Sequence, residues 1–216
     1  MSHAASAHER PRLVICISGS GTNLQAIINA MITQLLPIDI VLVVSNRKRA
    51  YGLERAAAAG IPTLYVPLAS YRKHPAGRRA YDADLAAQIQ PYQPDLIVLA
   101  GWMHIFSPAF LDHFPQKVIN LHPALPGTFP GVDAIQRAYE AYQQGAIQHS
   151  GCMVHYASPE VDAGPVIAQA TVPIYPDDTL ESFEQRMHAT EHGLLVTALQ
   201  HLFAAFHGQT GGDGGT

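Results

Sequence analysis

Apolar residues gather into short continuous runs, separated by stretches in which they recur at helical spacing. Leu13–Ile17 is the first run, rich in β-branched residues, and it stops at Ser18-Gly19-Ser20-Gly21. That pattern predicts a strand running into a glycine turn. From Thr22 to Leu35, Leu24, Ile27, Ile28 and Met31 share one face, which predicts a helix. Ile38–Val44 reads as a second strand, ended by Ser45-Asn46-Arg47. Tyr51–Ala59 reads as a helix closed by Gly60, with Pro62 just beyond. Further strands are predicted at Thr63–Val66, Asp95–Ala100, Val118–Leu121, Cys152–Tyr156 and Pro165–Pro173, and further helices at Ala76–Gln90, Asp133–Gln144 and Leu180–Phe206.

Strands that alternate with helices predict an α/β fold with a mostly parallel sheet. Near-continuous apolar strands mean that helices cover both faces. Ligands of such sheets sit outside the carboxyl ends of the strands. Chemistry is therefore sought in the segments that follow the strands.

Composition narrows the class. Charged residues make up 14% of the 216 residues and the net charge is −4, against about 25% charged in an average domain. Extended disorder is excluded, and no general electrostatic footprint for nucleic acid or anionic membrane exists. The two cysteines cannot build a disulfide scaffold. Cys16 lies in an apolar run and reads as a buried reduced thiol, which points to a reducing compartment. Residues 1–12 lack the apolar core of a signal peptide, and no run reaches a membrane-spanning length, so a cytoplasmic protein is expected. Twelve histidines occur, but without HExxH or close His/Cys ligand spacing, so no metal is implied. Residues 1–11 are small and polar, and 208–216 hold five glycines in nine positions. Both read as flexible tails around one domain at 12–207.

Three segments carry candidate chemistry. Ser18-Gly19-Ser20-Gly21-Thr22-Asn23 joins a strand to a helix, where free N–H groups and the helix dipole suit a phosphate. GxGxxG is not met, because Leu24 takes the sixth position, and no P-loop lysine follows. A monophosphate fits better than a dinucleotide or nucleoside triphosphate; a bare turn is the alternative. After the strand at 95–100, Gly101-Trp102-Met103-His104-Ile105-Phe106 can line a pocket for a flat ring, or simply pack. On the strand Val118-Ile119-Asn120-Leu121-His122, alternation places Asn120 and His122 on one side. An amide suits an oxyanion and an imidazole suits proton movement, which together suit acyl transfer. Their plainer role is to tie down the proline-rich loop 123–131. A carboxylate from the loop at 158–165, Asp162, can reach such an imidazole, raise its pKa and orient it, or can serve only as a turn residue. No GxSxG elbow occurs and neither cysteine is flanked as a nucleophile, so direct transfer between two bound substrates is expected.

SGSGTNLQAII (18–28), SNRKRAYGLERAAAAGIP (45–62), PDLIVLAGWMHIFSPAFL (94–111), INLHPALPGTFPG (119–131) and VDAGPVI (161–167) occur in this order. In this combination the chain resembles the phosphoribosylglycinamide formyltransferases, folate-dependent enzymes of purine biosynthesis, over roughly residues 12–200. The resemblance implies the Rossmann-like formyltransferase fold. It implies transfer of a formyl group from 10-formyltetrahydrofolate, a co-substrate, to the amine of glycinamide ribonucleotide, without metal. It places Asn120, His122 and Asp162 as the catalytic trio, and Gly21, Thr22, Asn23 and Glu191 on the ribonucleotide and its phosphate. It places Arg78, Met103, His104, Ile105, Phe106 and Val161 on the folate. Small-molecule partners are implied, and a homodimer is left open. The chain departs from the family pattern at His104, where arginine is common, at Ala124 and Gly127, where S-L-L-P is usual, and at Cys152 and Met153, which replace small hydroxyl residues. A formyltetrahydrofolate hydrolase shares this type of domain but carries an N-terminal regulatory domain, for which the residues before the first strand are expected to be too few. A methionyl-tRNA formyltransferase would need a further C-terminal domain and a basic surface. A folate- or nucleotide-binding regulator would not need the trio.

Overall fold

In the computed structural model, which describes residues 10–71 and 75–207, the apolar runs become the strands of one seven-stranded sheet. The expected tails fall outside the described residues except at Arg10 and Pro11. Pro11 is buried, and its carbonyl accepts the Asp39 amide at 2.9 Å. The elements are β1 (Arg12–Ile17), α1 (Thr22–Ile32), β2 (Asp39–Ser45), α2 (Tyr51–Ala58), β3 (Thr63–Tyr65), α3 (Gly77–Ile89), β4 (Leu96–Leu99), α4 (Pro108–Leu111), β5 (Val118–His122), α5 (Ala134–Gln143), β6 (His149–Tyr156), β7 (Val166–Pro173) and α6 (Leu180–His207).

Strand order is β3-β2-β1-β4-β5-β6-β7. The first five strands run parallel, and β6 and β7 are antiparallel additions. The chain winds outward from β1 to β3, then returns to place β4 on β1's other side. Such a reversal opens a crevice at the strand ends. On one face Leu13, Ile15 and Ile17 pack with α1 and α6 residues such as Ile27, Ile28, Leu195 and Leu199. On the other, Val14 and Cys16 pack with Tyr81, Leu85 and Ile89 of α3 and Phe110 of α4. Cys16 and Cys152 are free and buried, as expected of reduced thiols. Burial pushes the Cys16 thiol far above its ordinary range and, with the Glu191 charge nearby, pushes Cys152 up to about 12.

Two boundaries move by three residues and one short helix is additional to the pattern, while most other ends agree within a residue. α1 ends at Ile32 rather than Leu35, because Gln34 turns left-handed (φ 59°) and the Leu36 amide returns to the Ala30 carbonyl. β6 begins at His149, ahead of Cys152. The four-residue α4 is too short to show a period and was not anticipated. Between β1 and α1, Gly21 is left-handed at φ 70°, and a Cβ there would stand 2.6 Å from Gly52 Cα. Backbone thus packs on backbone, and the Gly52 amide donates to the Gly19 carbonyl at 3.1 Å.

Candidate active site

The trio expected from the sequence converges at the end of β5. Asn120 and His122 project from the same side of the strand, and both reach Asp162. Asn120 Nδ2 donates to Asp162 Oδ1 at 3.2 Å. His122 Nδ1 stands 3.3 Å from Asp162 Oδ2. Asp162 arrives on the loop between β6 and β7 in a left-handed conformation (φ 51°), which aspartate tolerates better than most residues. Gly164 lets that loop lie on β6: a Cβ there would fall 1.7 Å from the Tyr156 carbonyl oxygen. The Gly131 amide from the loop after β5 donates to Asp162 Oδ2 at 2.8 Å. Asp162 is therefore both a turn residue and a member of the site.

A fourth residue, His155, belongs to the cluster. It sits on β6 directly opposite Asn120 in the antiparallel ladder. Its Nδ1 lies 2.9 Å from the Tyr156 carbonyl, which can only accept, so Nδ1 carries the proton. Nε2 then accepts from Asn120 Nδ2 at 3.2 Å and lies 3.6 Å from Asp162 Oδ1. The sequence placed His155 on a strand but gave no sign of what that strand pairs with. Alternation with Met153, opposite His122, would have been the signal once the pairing was known.

Burial raises the Asp162 pKa, but His155, the Gly131 N–H and His122 outweigh it and hold the carboxyl below its usual range. For His122 the balance runs the other way. Burial lowers its pKa and outweighs the lift from Asp162 and the Phe129 carbonyl. The carboxylate lifts the imidazole as expected, but the residue is only 4% exposed and desolvation outweighs that lift, so the net shift is downward. His122 is thus neutral near pH 7. Its Nε2 faces the Phe129 carbonyl at 3.1 Å while Nδ1 faces the carboxylate. Either neutral tautomer leaves one lone pair against an acceptor, whereas the protonated ring satisfies both. These two acceptors favour a proton on His122, and burial opposes it. Arg137 steadies the loop by donating to the carbonyls of Phe129 and Pro130 at 2.8 and 2.6 Å.

The glycine turn stands at the carboxyl end of β1, with β4 between it and β5. α1 starts without a side-chain cap, so its first-turn N–H groups remain for a ligand. Asn23 Oδ1 is buried without a hydrogen-bond partner among the described residues. Arg55 braces the turn from α2, donating to the Ser20 carbonyl at 2.9 Å. Thr22 and His192 line one groove between α1 and α6. Glu191, next to His192, is 4% exposed and meets His188 Nδ1 at 2.6 Å, which raises the His188 pKa.

The segment after β4 is fixed to the turn. The Ser18 amide donates to the Gly101 carbonyl at 2.9 Å, and the Met103 amide donates to Ser18 Oγ at 2.8 Å. Met103, Ile105 and Val161 are exposed at 59, 42 and 37%. His104 and Phe106 turn inward instead: His104 Nε2 meets Asp82 at 2.6 Å, and Phe106 stacks on Phe110 with ring centroids 3.7 Å apart. Arg78 stands exposed on the first turn of α3. No hydrogen bond or ion pair joins Arg78 or Glu191 to the trio among the described residues. Nor do those residues contain a cluster of three or more His, Cys, Asp or Glu side chains that could hold a metal ion.

A sheet with this reversal, a glycine turn at β1 and an Asn/His/Asp cluster at β5 defines a class already described. The formyl transferase family model matches residues 11–199, and the chain belongs to that family. It is 50% identical over 198 residues to the phosphoribosylglycinamide formyltransferase of Schizosaccharomyces pombe, covering 88% of this chain and 96% of that one. To the enzyme of the same name from Escherichia coli it is 40% identical, covering 84% and 82%. Among solved structures, glycinamide ribonucleotide transformylase 1 from Symbiobacterium toebii superposes with a TM-score of 0.84 at 37% identity, covering 94% of each chain. The phosphoribosylglycinamide formyltransferase from Coxiella burnetii superposes at 0.82 with 41% identity, covering 91% and 89%.

Proposed function

We propose that this chain transfers the formyl group of 10-formyltetrahydrofolate to the amine of 5'-phosphoribosylglycinamide, in de novo purine biosynthesis. The convergence of Asn120, His122 and Asp162 at the same edge of the sheet as an uncapped helix N-terminus carries this reading. Domain 12–207 holds the whole site.

The amine nitrogen attacks the formyl carbon, and a tetrahedral intermediate bears the former carbonyl oxygen as an oxyanion. Asn120 donates to it, exchanging one of its 3.2 Å bonds to Asp162 or His155. His122, neutral at rest with Nδ1 on Asp162, takes at Nε2 the proton that the amine sheds; Nε2 gives up the Phe129 carbonyl 3.1 Å away, and Asp162 stabilises the resulting imidazolium. The proton then passes to the folate nitrogen as its bond to the formyl carbon breaks, leaving tetrahydrofolate. Phosphate at Gly21, Thr22 and Asn23, with Glu191 on the ribonucleotide, supplies the remote binding that aligns the amine. Met103, Ile105 and Val161 offer apolar surface to the folate, His104 and Phe106 lie behind it, and Arg78 meets its outer part.

A cytoplasmic setting is supported by the free buried cysteines. No helix among the described residues is long and apolar enough to cross a membrane. Sedimentation velocity decides between monomer and homodimer. The deciding assay follows tetrahydrofolate formation with and without glycinamide ribonucleotide. Transfer that requires the amine is expected. Formate release at the same rate without it would replace transfer by hydrolysis.

A further inference from the structure

Asp82, on α3, is fully buried, and the proposed reaction makes no use of it. An enclosed carboxylate is costly unless its oxygens find donors. Asp82 accepts from Ser107 N at 2.7 Å, Ser107 Oγ at 2.5 Å and His104 Nε2 at 2.6 Å. All three donors belong to the segment that leaves β4, and none to α3 itself. The His104 ring is also walled by aromatic groups, edge-on to Tyr81 at 5.1 Å, Phe106 at 5.6 Å and Trp102 at 6.3 Å. Its side chain is 6% exposed. Along the segment, exposure therefore alternates: Met103 and Ile105 outward, His104 and Phe106 inward.

We infer that His104 is a positioning residue: by holding the segment onto Asp82 it sets the Met103–Ile105 face, and so the affinity for the folate, without touching it. The inference rests on the reading that this face receives the folate. Met103 is held by Ser18 Oγ, Phe106 packs on Phe110, and His104 and Ser107 are held by Asp82. Removing the His104 donor leaves Met103, Phe106 and Ser107 held and loosens the turn that presents Ile105 between them. It also leaves one Asp82 oxygen without its donor, a second reason for the segment to shift.

Trp102 is the chain's single tryptophan, 7% exposed within the segment, and its emission reports the segment directly. The test titrates tetrahydrofolate against Trp102 fluorescence, measures KM for both substrates, and records melting temperature for wild type, His104→Ala, His104→Gln and His104→Asn. His104→Ala is expected to weaken tetrahydrofolate binding about tenfold, as loss of a charge-assisted hydrogen bond does. Trp102 emission should shift to the red, while KM for the ribonucleotide stays put. Gln reaches Asp82 with an amide donor and should restore binding; Asn is one methylene shorter and should not. A merely structural role would lower the melting temperature and leave tetrahydrofolate affinity unchanged. If Ala does not fold, Gln and Asn decide, and equal affinity in these two overturns the inference. Wild type that transfers formyl while position 104 leaves folate affinity untouched sinks this inference alone. Wild type that neither transfers formyl nor binds tetrahydrofolate sinks the proposed function, and this inference with it.

Discussion

The glycine turn at 18–23 and the cluster of Asn120, His122, His155 and Asp162 stand at nearby strand ends, yet they are made of opposite materials. The turn is backbone: a left-handed glycine pressed against Gly52, an uncapped helix end, and an arginine gripping a carbonyl from behind. The cluster is side chain: one amide, two imidazoles and a carboxylate whose charges depend on one another. A phosphate keeps its charge throughout the reaction, so fixed dipoles suffice for it. A proton in transit needs groups that change charge. The turn is therefore expected to tolerate side-chain changes and to resist a Cβ added at Gly21, while the cluster responds to chemistry.

Breaking the cluster should have the larger effect. Asp162→Ala should lower kcat by about 10²–10⁴-fold, the range for a positioned proton-transfer group, with the circular dichroism spectrum retained. Asn120→Ala should follow at about 10²–10³-fold, the range for a lost oxyanion donor. Near-normal tetrahydrofolate formation in either variant would remove that residue's assigned role. Gly21→Ala tests the other side. It should raise KM for the ribonucleotide more than it lowers kcat, and should cost about 1–3 kcal/mol in a urea unfolding curve, the scale of a strained backbone position. If Gly21→Ala lowered kcat and spared KM, the division between binding turn and reacting cluster would fail.

The smallest expected effect is on pH. His122 and Asp162 both titrate below their ordinary ranges in the folded protein. The unfolded chain then binds their protons first as pH falls, so both contributions to stability are lost toward acid. His122 acts from the ordinary imidazole range downward, and Asp162 from the ordinary carboxyl range downward. His188, raised by Glu191, has the opposite sign: its contribution is lost as pH rises. In the rate, the acid limb of kcat/KM should lie below the usual imidazole value, because the receiving ring must be neutral. Loss of activity as pH rises through the imidazole range, with no acid limb there, would mean instead that His122 works protonated.

The order of elements was legible because it rests on local pattern. Leu13–Ile17 and Leu42–Val44 are buried on both faces and read as such, and Asn120 and His122 follow from alternation alone. The convergence on Asp162 came through resemblance, since nothing local distinguishes a site aspartate from a turn aspartate. What escaped is long-range and side-chain specific. His155 needs the β5–β6 register, and Asp82 sits on a helix face with no mark that its partners lie 22 and 25 positions away. The direction of the His122 shift escaped because it is a contest between burial and charge, and burial is not written beside the residue.

The pairing of Asn120 with His155 has a consequence for assembly of the molecule. Amide and imidazole meet only because β5 and β6, joined through α5, pair in one register. A slip of one position would turn one of them to the opposite side of the sheet while leaving the helices intact. Activity therefore counts correctly zipped sheets, and in refolding it should return later than helical ellipticity.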